Sequence, residues 1–182
     1  MNKKVLLIIL LAAYSGLSQE ASEMIDRQGS INFFSYTSVE NIKAKNNQVF
    51  SNINAVTGEI AVSILMRAFV FEKALMEEHF NESYIESDLY PRAKFEGEIL
   101  DFNPSMTGRE TKKIRGVFTL HGREKEIEFK AAVEKKKNKY IISGDLELTV
   151  KDYDIKIRPI LSPNIAETIT ADFNFEYVPY EN

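Results

Sequence analysis

The strongest constraint in this chain is a period of two. Phe95, Gly97 and Ile99 alternate with Glu96 and Glu98, and Ile114, Gly116, Phe118 and Leu120 alternate with Arg115 and Thr119. Ile127, Phe129, Ala131 and Val133 alternate with Glu126, Glu128 and Lys130. Tyr140, Ile142, Leu146, Leu148 and Val150 share one parity, opposite Asp145, Glu147 and Thr149. Near the end, Ile169, Ala171, Phe173, Phe175 and Tyr177 alternate with Thr170, Asp172, Asn174 and Glu176. Successive side chains of a strand point to opposite faces, so each stretch has one apolar face and one solvated face, as in an antiparallel sheet. His121-Gly122 and Lys135–Lys139 are short links of the kind that join neighbouring strands into a meander.

The first half adds less regular strands. Ser30–Thr37 is rich in Phe, Tyr and Ile. Glu40–Ser51 has a polar centre, Lys45-Asn46-Asn47-Gln48, which reads as a bend or an irregular strand. After a turn at Thr57-Gly58, Glu59–Phe71 is almost continuously apolar and reads as one buried strand. Residues 19–29 read as a polar lead-in, and Pro104–Gly108 as a loop. The total is about eight strands, enough for a one-faced sheet to close on itself and remove its exposed edges. Such an interior either fills with side chains or holds one small ligand. A two-sheet sandwich is the competing architecture, because alternation does not prove closure.

Between Phe69 and Gly97 the period changes. At about 100° per residue, Phe71, Leu75, Met76, His79 and Phe80 gather on one side, with Lys73, Ala74, Glu77, Glu78 and Asn81 on the other. This predicts a short one-sided helix over Glu72–Asn81, with Glu72 in the first turn, where a carboxylate suits the helix dipole. A helix that short is marginal alone and must dock its apolar face on the sheet.

The start, MNKKVLLIILLAAYSG, has the layout of a secretory signal peptide: Lys3 and Lys4, an apolar run from Val5 to Ala13, then small residues. The run is short of the roughly 20 apolar residues that span a bilayer as a helix. The expected division is a signal peptide over residues 1–18 and one barrel domain over residues 19–182. The mature chain would be periplasmic or secreted, with no integral membrane segment. Cysteine is absent, which excludes a disulfide scaffold, a thiolate metal site and a cysteine nucleophile. The net charge of −4 argues against nucleic acid as a partner.

Catalytic motifs are missing: there is no nucleophile elbow, phosphate-cradling loop, dinucleotide fingerprint or zinc-binding H-E-x-x-H. Of the two histidines, His79 lies in the apolar arc of the helix and His121 precedes Gly122 at a hairpin, so both read first as structural. Glu96 and Glu98 share a solvated face. Lys135–Lys137 reads as a charged hairpin, and Asn81-Glu82-Ser83 matches a glycosylation sequon by three residues only.

Four segments, taken in order, resemble the YceI-like family of bacterial polyisoprenoid-binding, lipocalin-like proteins. They are Thr57-Gly58-Glu59-Ile60; the step from His79-Phe80 to Tyr90-Pro91-Arg92-Ala93-Lys94-Phe95; Gly116 to Ile127, similar to a G-x-L-T-L-H-G-x-T-K-x-V hairpin; and Asp152-Tyr153-Asp154-Ile155, where the family often has R-x-D-F-G. In that last step Lys151 or Asp152 would stand for the Arg and Ile155 for the Gly. Asn41–Asn46 lacks the histidine of the family's early segment. The resemblance implies an all-β fold, an eight-stranded antiparallel lipocalin-like barrel with one short α-helix, enclosing an apolar channel.

The resulting expectation is a binding protein and not an enzyme, holding a long-chain isoprenoid or other apolar amphiphile without a cofactor or metal. The expected lining is Phe33, Ile64, Phe71, Leu75, Met76, Phe80, Phe95, Phe118, Phe129, Ile142, Leu146 and Phe173. His79 and Tyr84 would supply polar contacts at the helix end. A filled barrel serving structure or protein interaction is the alternative, and an enzyme using His79 beside a carboxylate is a third reading. A homodimer is left open.

Overall fold

The alternating stretches of the second half become antiparallel ladders that keep their register throughout. The computed structural model describes residues 22–36, 41–157 and 166–180; the expected signal peptide lies outside them. The strands are β1 (Glu23–Ser35), β2 (Ile42–Asn54), β3 (Glu59–Leu65), β4 (Val70–Phe71), β5 (Arg92–Ile99), β6 (Gly108–Leu120), β7 (Arg123–Lys136), β8 (Lys139–Thr149) and β9 (Thr168–Pro179). One α-helix, α1 (Ala74–His79), lies between β4 and β5. The strands run in the order β1-β9-β8-β7-β6-β5-β3-β2, and β1 also pairs with β2, so eight antiparallel strands close into a barrel. The two-residue β4 pairs only with β2 and lies outside the ring.

β6 and β7 stay in register from Gly108↔Lys135 to Leu120↔Arg123. His121 and Gly122, with φ of 51° and 71°, turn the chain between them. Two successive positive φ values match the twist of a two-residue hairpin. Gly97 and Gly116 face each other across β5 and β6. A Cβ on Gly97 would stand 2.4 Å from the Arg115 carbonyl oxygen, and one on Gly116 2.3 Å from that of Glu96. Both would also meet Cζ of Phe95, at 2.7 and 2.8 Å, so these glycines leave the space in which the Phe95 ring lies.

The first half departs from its expected boundaries. β1 starts at Glu23, inside the stretch read as a polar lead-in, and buries Met24 and Ile25. Its register shifts between Asp26 and Gly29, which changes the parity of the inward face and hides the strand from a period-two reading. The Asp26 carboxylate holds the irregularity by accepting from the N–H groups of Gln28 (2.9 Å) and Glu176 (2.7 Å). The polar centre of β2 is an irregular strand. Asn46 is fully buried there; its Nδ2 donates to the Leu65 carbonyl at 2.9 Å and its Oδ1 accepts from the Gln48 N–H at 2.8 Å.

The strand expected to run to Phe71 ends at Leu65. A 3-10 turn, Met66–Ala68, follows, in which Arg67 is exposed and pairs with Asp88. The helix is also shorter than expected. It begins at Ala74 and gives way to a wider π-type turn over Phe80–Tyr84. Asn81 ties down that turn: its Nδ2 donates to the Glu77 carbonyl at 2.9 Å, and its Oδ1 accepts from the buried Ser87 hydroxyl at 2.8 Å.

Candidate functional site

The barrel interior is not uniform. At the end away from α1, Val49, Ile53, Val133, Ile142 and Tyr177 are all fully buried. Phe102 and Met106, from the β5–β6 connection, close this end, with the Phe102 ring 5.7 Å from that of Tyr140. The Tyr177 hydroxyl is satisfied by Ser51 Oγ at 2.7 Å, and Ser51 Oγ also donates to the Ala61 carbonyl at 2.9 Å. Burial pushes the Tyr177 phenol well above its usual pKa.

Toward α1 the interior opens into a cavity of about 190 Å³. Native interiors hold few voids larger than a water molecule. The cavity is larger than a dry apolar void of about 150 Å³ that accepts benzene. Phe33, Phe69, Phe71 and Phe80 cluster beneath the helix, with ring centroids 5.0–5.6 Å apart. Phe129 meets Phe95 at 5.7 Å and Phe173 at 5.6 Å deeper in the wall, both edge-on. Among the described residues that line the cavity none is charged. Three carry hydroxyls: Ser35, Tyr84 and Tyr153. Ser35 Oγ accepts from the Ala166 N–H at 3.2 Å. The Tyr153 hydroxyl is buried and has no hydrogen-bond partner among the described residues. Burial, followed by the nearby Asp152 charge, raises its pKa to about 12.

α1 is held lightly. It has no side-chain cap at its N-terminus and no fully buried residue. Phe80, at its C-terminal boundary, inserts into the phenylalanine cluster. Glu77 Oε2 accepts from the Phe71 N–H at 3.2 Å and links helix to β4. Nearby, the His121 ring ties three segments together: Nε2 lies 2.9 Å from Glu86 Oε2, Nδ1 lies 3.1 Å from the Tyr153 carbonyl oxygen, and the ring packs 4.4 Å from that of Tyr90.

Eleven of the residues named from sequence line the cavity: Phe33, Ile64, Phe71, Met76, Phe80, Tyr84, Phe95, Phe118, Phe129, Leu146 and Phe173. Three do not. Leu75 is 57% exposed, because the inward stripe of so short a helix is Met76 and Phe80, four residues apart, and Leu75 points about 100° away from Met76. His79 is half-buried but off the lining for the same reason. Ile142 is fully buried, packed in the solid half of the barrel. Among the described residues no group of three His, Asp or Glu side chains could hold a metal.

Sequence reasoning missed Phe69, Phe175 and Tyr153 as lining residues. Phe69 sits just past the 3-10 turn that ends the period of β3. Tyr153 closes another 3-10 turn, Val150–Tyr153, after which Asp154 has a φ of 55°. Such a left-handed conformation is the one glycine adopts most readily. The Tyr153 ring meets that of Phe118 edge-on, at 5.7 Å and 84°.

Solved structures share this architecture at low sequence identity. A polyisoprenoid binding domain from Saccharophagus degradans superposes with a TM-score of 0.75 at 15% identity, covering 88% of this chain and 99% of that one. BcnA from Burkholderia cenocepacia gives 0.68 at 12% identity, covering 81% and 95%. The YCEI protein of Campylobacter jejuni gives 0.60 at 16% identity, covering 81% and 90%. No curated protein matches the chain. A family model for the YceI-like domain matches residues 21–177, and with that match the chain belongs to the YceI-like family.

Proposed function

We propose that this protein is an exported lipid-binding protein that holds a long-chain isoprenoid or similar amphiphile in the cavity between α1 and the barrel wall. The observation that carries the reading is a cavity of about 190 Å³ whose described lining has no charged residue. An apolar chain gains about 0.8 kcal/mol for each CH₂ taken out of water, so roughly fifteen carbons are worth about 12 kcal/mol before ordering costs. Pockets for drug-sized ligands run to about 300–1,000 Å³. A long chain therefore needs the helix side to yield, and the lightly held α1 is the element that can do so. Export follows from the expected signal peptide at residues 1–18. The polyisoprenoid binding domain of the Saccharophagus structure adds support for the ligand class.

The test is mass spectrometry of an organic extract from protein purified without detergent, against a mock purification. An enriched isoprenoid or other long-chain amphiphile is the expected result. A clean extract, with no uptake of such lipids added later, would overturn the reading in favour of a barrel without a small-molecule ligand.

A further inference from the structure

Two buried tyrosines of the barrel differ in one respect. Tyr177 is fully buried and its hydroxyl is paired with Ser51 at 2.7 Å. Tyr153 is 1% exposed, borders the cavity, and its hydroxyl has no partner among the described residues. Buried polar groups are nearly always hydrogen-bonded, so an unpaired phenol beside a ligand-sized space calls for an explanation. A phenylalanine would serve the edge-on contact with Phe118 equally well.

The proposal rests on the lipid-binding reading above. We propose that Tyr153 is the polar recognition residue of the cavity: its hydroxyl donates a hydrogen bond to an uncharged oxygen of the bound molecule. The preferred ligand is then a long-chain lipid carrying a carbonyl, ether or hydroxyl oxygen near that point, and not a fatty carboxylate or phosphate ester buried there.

Two observations set this class. The phenol stays protonated across the physiological range, so it acts as a donor. The described lining also offers no Lys, Arg or His. A buried carboxylate or phosphate would therefore lie unpaired in apolar surroundings, which is strongly unfavourable. A neutral acceptor meets no such penalty and satisfies the one hydroxyl left over.

The experiment measures binding of methyl undecyl ketone, tridecane and tridecanoate by displacement of N-phenyl-1-naphthylamine from the full chain and from Tyr153→Phe. Infrared spectroscopy reads the carbonyl stretch of the bound ketone. The wild-type chain should prefer the ketone over tridecane by about fivefold, the worth of one net hydrogen bond, and bind tridecanoate weakest. Its bound carbonyl stretch should move to lower wavenumber. Tyr153→Phe should lose the preference and the shift while binding tridecane as before. An unchanged preference in Tyr153→Phe, or tridecanoate bound as tightly as the ketone, would overturn the proposal. The wild-type preference and carbonyl shift stand as tests even if the variant does not fold; their absence with tridecane still bound sinks Tyr153 alone. Failure to bind any of the three compounds would sink the lipid-binding reading as well.

Discussion

At one end of the barrel Val49, Ile53, Val133 and Ile142 are fully buried around a tyrosine–serine pair. At the other, four phenylalanines and a six-residue helix roof a cavity. The same eight strands supply both halves. What differs is how each is closed. The solid half is closed by Phe102 and Met106 from the β5–β6 connection. The open half is closed by α1, which has no side-chain N-cap and no fully buried residue. The cavity proposed to bind lipid thus lies at the weakly packed end, the end from which mobile elements are usually drawn.

That division can be broken or sharpened by substitution. The largest effect is expected for Ile142→Ala in the solid half. It should cost about 2–5 kcal/mol, a fall of about 10 °C in melting temperature, while the folded protein keeps its lipid. Loss of lipid from a folded Ile142→Ala protein would erase the distinction between the halves. Phe80→Ala removes a half-buried ring from the open half, where neighbours can relax, and should cost less, about 1–2 kcal/mol in urea unfolding. Phe80→Glu should abolish lipid retention in a protein that still gives a β-sheet circular dichroism spectrum; retained lipid would remove Phe80 from the site.

The tyrosines sharpen the comparison further. Tyr177→Phe breaks its bond to Ser51 and should cost about 1 kcal/mol. Tyr153→Phe removes an unpaired hydroxyl and should leave the ligand-free protein as stable as before or slightly more so. A matched pair of chemical denaturation curves decides this, and equal losses would count against the contrast. The smallest effect is alkaline. Burial raises both phenol pKa values, Tyr153 to about 12. The unfolded chain therefore ionises first, near the ordinary value of about 10. Stability from these groups is whole below that pH and is lost as pH rises through the folded value. Urea midpoints should decline from about pH 10 upward, and less steeply in Tyr153→Phe.

Legibility in the sequence followed local regularity. Most of β5 to β9 could be read from a period of two that marks the inward face, whereas the polar start of β6, Gly108–Lys113, carries no such alternation. β1 was half hidden because its register shift between Asp26 and Gly29 moves the inward face to the other parity. The end of β3 was misplaced because Met66 and Phe69 are buried on either side of a 3-10 turn, and an apolar run does not reveal such a break. Tyr153 escaped notice as a lining residue for a related reason. It follows β8 in an irregular turn, where side-chain direction obeys no simple period.

The sequence by itself determined which residues face inward in the regular strands, where the hairpins turn, and that a short one-sided helix must dock on the sheet, because pleating and helical pitch are local properties of the chain. It did not determine where the interior is full and where it is empty. Ile142 and Leu146 lie on the same face of β8, four residues apart and alike in chemistry. Ile142 is fully buried and Leu146 borders the cavity. That difference depends on which side chains reach across the barrel to meet them, and only closure of the sheet brings those side chains together.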